Sequence, residues 1–157
     1  MADPTAPAEQ DLTVYQGQDW IAVFELFQDT ANSIPFDLTG YEIDMHVREG
    51  VADSEASLKI AASSRSTGDG AGRIVVLGRQ SSGEVDLDGG AIPSDGVFRV
   101  TLAAAVTAAV APTKKPRPGS AATANFLYDI ELTSASGIIT RVMRGAFTLD
   151  LEVTRRT

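Results

Sequence analysis

Over long stretches of the chain, apolar and polar residues alternate one by one, the period of a strand with one dry face and one wet face. The clearest case is YEIDMHVRE, residues 41 to 49, where Tyr41, Ile43, Met45 and Val47 alternate with Glu42, Asp44, His46 and Arg48. VFRVTL sets Phe98, Val100 and Leu102 against Arg99 and Thr101. NFLYDIEL sets Phe126, Tyr128, Ile130 and Leu132 against Leu127, Asp129 and Glu131. After a TSASG turn, IITRVMRGAFTLDLEV puts Met143, Phe147, Leu149, Leu151 and Val153 on one parity. These last two runs predict a β-hairpin with an unusually long second arm, and Gly145 inside that arm predicts a bulge or bend.

The rest of the pattern is less regular. DLTVYQG predicts a short strand through Leu12 and Val14, with Gly17 at a turn. In DWIAVFELFQD, Trp20, Ala22, Phe24 and Leu26 fall on one face and Ile21, Val23 and Phe27 on the other. Both faces are largely apolar, which predicts a central or doubly covered strand. SLKIAA predicts a short edge strand, RIVVLG another strand, and EVDL a small one. AAAVTAAVA predicts the single helix, from alanine's propensity and the stop at Pro112. Nine residues are too few to hold a helix alone in water, so it must dock through Val106 and Val110.

Turn-rich segments punctuate these runs. The expected organisation is a flexible N-terminal arm over 1–10 and a single β-sandwich domain over 11–157, with loop insertions near 50–72, 78–96 and 112–124. No internal repeat is visible. Short strands, turn clusters and one brief helix predict an all-β fold, an immunoglobulin-like antiparallel β-sandwich with one short helix. Its core is expected to hold Trp20, Phe24, Ile43, Met45, Val47, Phe126, Tyr128, Ile130, Phe147 and Leu149.

Composition narrows the function more than the fold. With 157 residues, 43% hydrophobic and 22% charged, the chain has the make-up of one globular domain. Its 13 basic residues against 21 acidic ones give a net charge of −8, opposite to what a phosphate-binding surface needs. It has no cysteine, which excludes disulfides and cysteine-ligated zinc. The opening MADPTAPAEQ lacks the basic and apolar parts of a signal peptide. No run approaches the ~18 apolar residues of a membrane helix.

Four stretches offer candidate chemistry. Glu42, Asp44 and His46 share one strand face, but same-face neighbours stand about 6.6–6.8 Å apart, too far to close on one ion unaided. The apolar opposite face already explains them as a wet strand surface, so no metal is expected. Asp86, Asp88 and Asp95 miss the register of a calcium loop, and STGDGAG lacks the lysine and spacing of a phosphate loop. TKKPRPG reads either as a solvated connector or as a docking loop, with Lys114, Lys115 and Arg117 set against an acidic neighbour and its prolines limiting the entropy lost on contact. No catalytic residue, cofactor or small-molecule substrate is expected from the residues.

The order of motifs carries a resemblance. DLTVYQGQDW, PFDLTGYEIDMHVRE, GRIVVL, TLAAAVTAAVAP and FLYDIELTSASGIITRVMRGAFTLDLEVTR follow one another over most of 11–155. This succession resembles a family of small phage and prophage virion proteins, similar to the immunoglobulin-like N-terminal domain of baseplate or tail-fibre proteins. The segments 78–96 and 112–124 depart from that pattern as extra loop. The resemblance implies a non-enzymatic structural component of a virion, in the tail, baseplate or fibre-attachment region. It would act through contacts with other virion proteins in multiple copies, without nucleic acid or membrane. A capsid decoration or cement protein is the nearest alternative. A carbohydrate-binding module is one from another class, and it would need more aromatic surface than 6% supplies.

Overall fold

The computed structural model describes residues 8–28, 34–50, 58–65, 72–79, 85–86, 96–110 and 123–151. The strands are β1 (Ala8–Glu9), β2 (Leu12–Tyr15), β3 (Trp20–Glu25), β4 (Glu42–Arg48), β5 (Leu58–Ser63), β6 (Gly72–Arg79), β7 (Val85–Asp86), β8 (Val97–Leu102), β9 (Thr123–Thr133) and β10 (Ile139–Asp150). One helix, α1 (Ala104–Ala108), completes them. The fold is therefore mostly β with one short helix, as the alternation predicts.

The sheet differs from the expected antiparallel sandwich. The strands form a single mixed sheet in the order β1-β10-β9-β4-β5-β6-β8-β3, with β2 also on β10 and β7 on β6. The β1·β10, β2·β10 and β5·β6 ladders are parallel. The sheet curls so strongly that Trp20 on β3 meets Phe147 on β10, ring centroids 6.3 Å apart, although these strands lie near opposite ends of the order. Strand twist bends any sheet this way. Here the junction is also thin, because β5 and β6 pair only at Ala62↔Gly72 and Ser63↔Arg73. Gly72 is required there. A Cβ on it would stand 2.5 Å from Leu102 Cδ2 and 2.8 Å from Ala62 Cβ, so only glycine lets the layers close.

The enclosed core holds nine of the ten expected residues as buried side chains, and Trp20 packs against them partly exposed. Phe24 stacks on Phe98 with centroids 5.4 Å apart. The helix is five residues rather than nine, and it docks as expected through Val106 and Val110. Its buried Thr107 fixes the join between β2 and β3: the hydroxyl donates to Gln18 O at 3.0 Å and accepts from Gly17 N–H at 3.0 Å. In the DLTG turn, the Thr39 hydroxyl and N–H donate to Asp37 Oδ1 at 2.6 and 2.9 Å, and this holds the Asp37 carboxyl below its usual range.

Four local expectations are corrected. First, β3 is not central: among the described residues it ends the sheet order and pairs with β8 alone. Second, SLKIAA is not an edge, since β5 pairs with β4 on one side and β6 on the other. Third, residues 8–10 are not part of a loose arm. Ala8 and Glu9 pair with Met143 and Arg144, and Gln10 N–H donates to Arg144 O at 3.0 Å. Residues 1–7 lie outside the described residues. Fourth, the bulge in β10 falls between Arg141 and Met143 rather than at Gly145. Gly145 instead admits the N-terminal segment, because a Cβ there would lie 2.0 Å from Gln10 O.

Candidate interaction surfaces

Two solvent-facing areas of the curled sheet stand out, one on each side of the thin β5–β6 junction. The first is the wet face of β4, β9 and β10. Pairing in register sets His46 beside Asp129 and Asp129 beside Arg144, while Glu9 of β1 faces Arg144. These groups line an open groove of about 480 Å³, together with Arg48 and Arg141.

The arginines of this face are answered by carboxylates of the same chain. Arg141 reaches Asp129 Oδ2 at 3.1 Å and Glu131 Oε1 at 3.9 Å. Arg144 donates to Glu9 Oε1 at 2.9 Å. Arg65 pairs with Glu42 and, at 3.4 Å, with Asp44, whose Oδ1 also accepts the Ser63 hydroxyl at 2.6 Å. Arg48 is not free either. The one loose end is Asp129 Oδ1, which is shielded from solvent without a hydrogen-bond partner. His46 Nδ1 lies 4.0 Å away, beyond hydrogen-bond reach.

This arrangement places the residues singled out from the sequence. Glu42, Asp44 and His46 do share a face, but Glu42 and Asp44 turn to Arg65 while His46 faces Asp129. Among the described residues, no three His, Asp or Glu side chains are grouped to hold a metal ion. Asp88, Asp95, Lys114, Lys115 and Arg117 lie outside the described residues, as do most of the expected insertions 78–96 and 112–124, of which 78–79, 85–86 and 123–124 fall in strands. Among the described residues no helix is long and apolar enough to cross a membrane.

The second area is the outer face of β3, β8 and β6. Register brings Ile21, Thr101 and Arg73 into one row and Val23, Arg99 and Val75 into the next. Residues opposite one another in a ladder share a face, so these six form one patch. Ile21 is 61% exposed and Val23 40%. Arg73 is exposed, and Arg99, Thr101 and Val75 are half-buried. On the same parity Val97 and Leu77 are buried, while Glu25, opposite Val97 on β3, is exposed and engaged in an interaction of its own. Arg99 Nε is out of solvent without an acceptor. Among the described residues, neither Arg99 nor Arg73 has an ion-pair or hydrogen-bond partner.

Arg73 and Arg99 were not picked out from the sequence. The parity of VFRVTL does put Arg99 on the wet face, but whether a neighbouring carboxylate answers it depends on strands far away in the chain.

Comparison with known proteins adds little to this geometry. No family model and no curated protein matches the chain. A solved structure of murine CRIg, an immunoglobulin-like domain, shares 10% identity, covering 90% of this chain and 92% of that one, with a TM-score of 0.26.

Proposed function

We propose that the chain is a non-enzymatic structural subunit of a phage virion, in the tail, baseplate or fibre-attachment region, and that it works by contact with other virion proteins. The motif order described above suggests the setting. The observation that carries the contact reading is the free end of the sheet. An edge strand with solvent-facing Ile21 and Val23 is the kind of feature that isolated proteins avoid or cover. In a subunit built for assembly, a neighbour supplies the cover. On this reading the curled sheet is an immunoglobulin-like sandwich whose two layers stay joined through β5 and β6.

The self-paired charges of the β4–β9–β10 face support the same reading, because they leave that face solvated and uncommitted. Mass spectrometry of purified particles, with the chain quantified against the major capsid protein, tests the proposal. A fixed stoichiometric ratio through successive purification steps is expected, and absence from the particles overturns it. Fractionation into tails and heads then separates the tail position from the decoration alternative.

A further inference from the structure

We infer that the outer face of β3, β8 and β6 is the docking surface, and that its occupant is a segment of another protein that alternates acidic and apolar residues. The inference rests on the contact reading above and names the chemistry of the partner. Three observations lead to it. Ile21 and Val23 are exposed on one face of a strand that, among the described residues, pairs on one side only. Arg99 and Arg73 share their patch, and neither has a partner among the described residues. The chain carries 21 acidic residues against 13 basic ones, yet among the described residues no carboxylate pairs with these two guanidinium groups, and Glu25 on the same face is engaged in an interaction of its own.

The contrast with the other face decides the sign of the partner's charge. Arg65, Arg141 and Arg144 are each answered by a carboxylate, and Arg48 is engaged. A half-buried arginine left unanswered in an acidic protein is complementary to a carboxylate from outside. Guanidinium binds carboxylate through paired parallel hydrogen bonds, which fixes orientation as well as adding affinity. Apolar side chains of the same segment would cover Ile21, Val23 and Val75. A second copy fits less well, since two chains of net charge −8 repel one another before contact.

The test uses the full chain and two synthetic extended peptides, one alternating Val with Glu, the other Val with Lys. Binding is followed by NMR, with the arginine Nε–Hε signals assigned by Arg73→Gln and Arg99→Gln. The glutamate peptide is expected to shift the Arg73 and Arg99 signals saturably. Its affinity should fall with added salt and drop ~tenfold in Arg99→Gln, as loss of a charge-assisted pair implies. The lysine peptide should leave those signals in place. Four results would overturn the inference: no saturable shift, equal shifts with both peptides, a response confined to β4–β9–β10, or tighter binding of an oligonucleotide than of the glutamate peptide. Self-association that Arg99→Gln abolishes would reassign the face to a second copy and overturn it too. Presence of the chain in particles with failure of the peptides would sink this inference alone. Peptide binding with absence from particles would sink only the virion reading.

Discussion

The two wet faces of this sheet use arginine in opposite ways. On β4, β9 and β10 the guanidinium groups meet carboxylates of the same chain, at 3.1 Å for Arg141 and 2.9 Å for Arg144. On β3, β8 and β6 they meet none among the described residues, and Ile21 and Val23 stand exposed beside them. Exposed ion pairs add little stability, commonly ~0–1 kcal/mol. Their effect is to leave a face content with water. An unanswered, half-buried guanidinium does the reverse, since a donor shielded without an acceptor costs about 1–3 kcal/mol. Asp129 Oδ1 is shielded without a partner on the first face as well, but the arginines there are paired, so the molecule carries one largely finished surface and one unfinished one over a shared core.

The largest test of this contrast asks whether apolar residues on the two sides of β3 and β4 differ as described. Met45 is fully buried and Ile21 is 61% exposed. Met45→Asp should unfold the domain, because it adds an uncompensated charge to a core site worth ~1.5–3 kcal/mol as an apolar one. Ile21→Asp should move the melting temperature only slightly. Similar losses in both variants would mean that the outer face of β3 is covered.

Next in size is the N-terminal segment that closes the finished face. Gly145→Val would press a side chain into Gln10 O, where even a Cβ has only 2.0 Å. Overpacking of this kind commonly costs ~1–3 kcal/mol. Limited proteolysis should then cut within residues 8–15 faster than in the native chain. Unchanged cutting would remove the close approach from the argument. The same contact predicts an alkaline effect. The Tyr128 hydroxyl donates to Gln10 O at 2.5 Å, and burial, with Asp11 nearby, pushes its pKa up to about 12. The unfolded chain's tyrosine ionises near 10, so stability should hold below that pH and fall as the pH rises from about 10 to 12. Tyr128→Phe should show less of that loss in pH-dependent chemical unfolding.

These cases show which parts of the molecule were legible in the sequence. The dry faces of β4, β8, β9 and β10 follow from strict alternation, because a strand's side-chain period is a local property. The parallel pairing of β1 and β2 with β10 has no local signal: Leu12 meets Phe147 across most of the chain. Apolar residues on both faces of β3 suggested a central strand, since burial is the usual reason for such a pattern. Here Ile21 and Val23 point to solvent, and the misreading falls on the proposed contact surface. Local rules fail most often where function competes with folding. Arg99 is legible as a wet-face residue, but its lack of a carboxylate among the described residues follows from a register that only the folded chain sets. The basic residues Lys114, Lys115 and Arg117 remain a separate docking proposal outside the described residues. Changing all three to Ser should weaken incorporation into particles without affecting folding.

A smaller effect sharpens the comparison further. Arg99→Met removes a shielded, unanswered Nε while keeping an apolar stem beside Val23 and Val75. The isolated chain should be as stable as before or more so, by up to about 1 kcal/mol, since replacing an unpaired polar group with an apolar one of similar shape is often favourable. Asp129→Leu should be destabilising instead, because it takes from Arg141 its nearer partner at 3.1 Å and leaves only Glu131 at 3.9 Å. Chemical denaturation of both variants decides the matter. A clear loss for Arg99→Met would show that Arg99 already has a partner in the folded chain.

The smallest effect isolates the ion pairs themselves. Arg141→Gln and Arg73→Gln each remove one positive charge from the same chain of net charge −8, so any change in overall repulsion is common to both. Both side chains are exposed on strands, so lost packing is similar as well. What remains is the contact of Arg141 with Asp129 and Glu131, for which Arg73 has no counterpart among the described residues. Arg141→Gln should therefore be the less stable variant by ~0.2–1 kcal/mol at low salt. At about 1 M salt, where the screening length shrinks to ~3 Å, the difference should largely vanish. If Arg73→Gln is equally destabilised at low salt, Arg73 is paired in the folded chain and the β3–β8–β6 face loses one of its two cationic anchors.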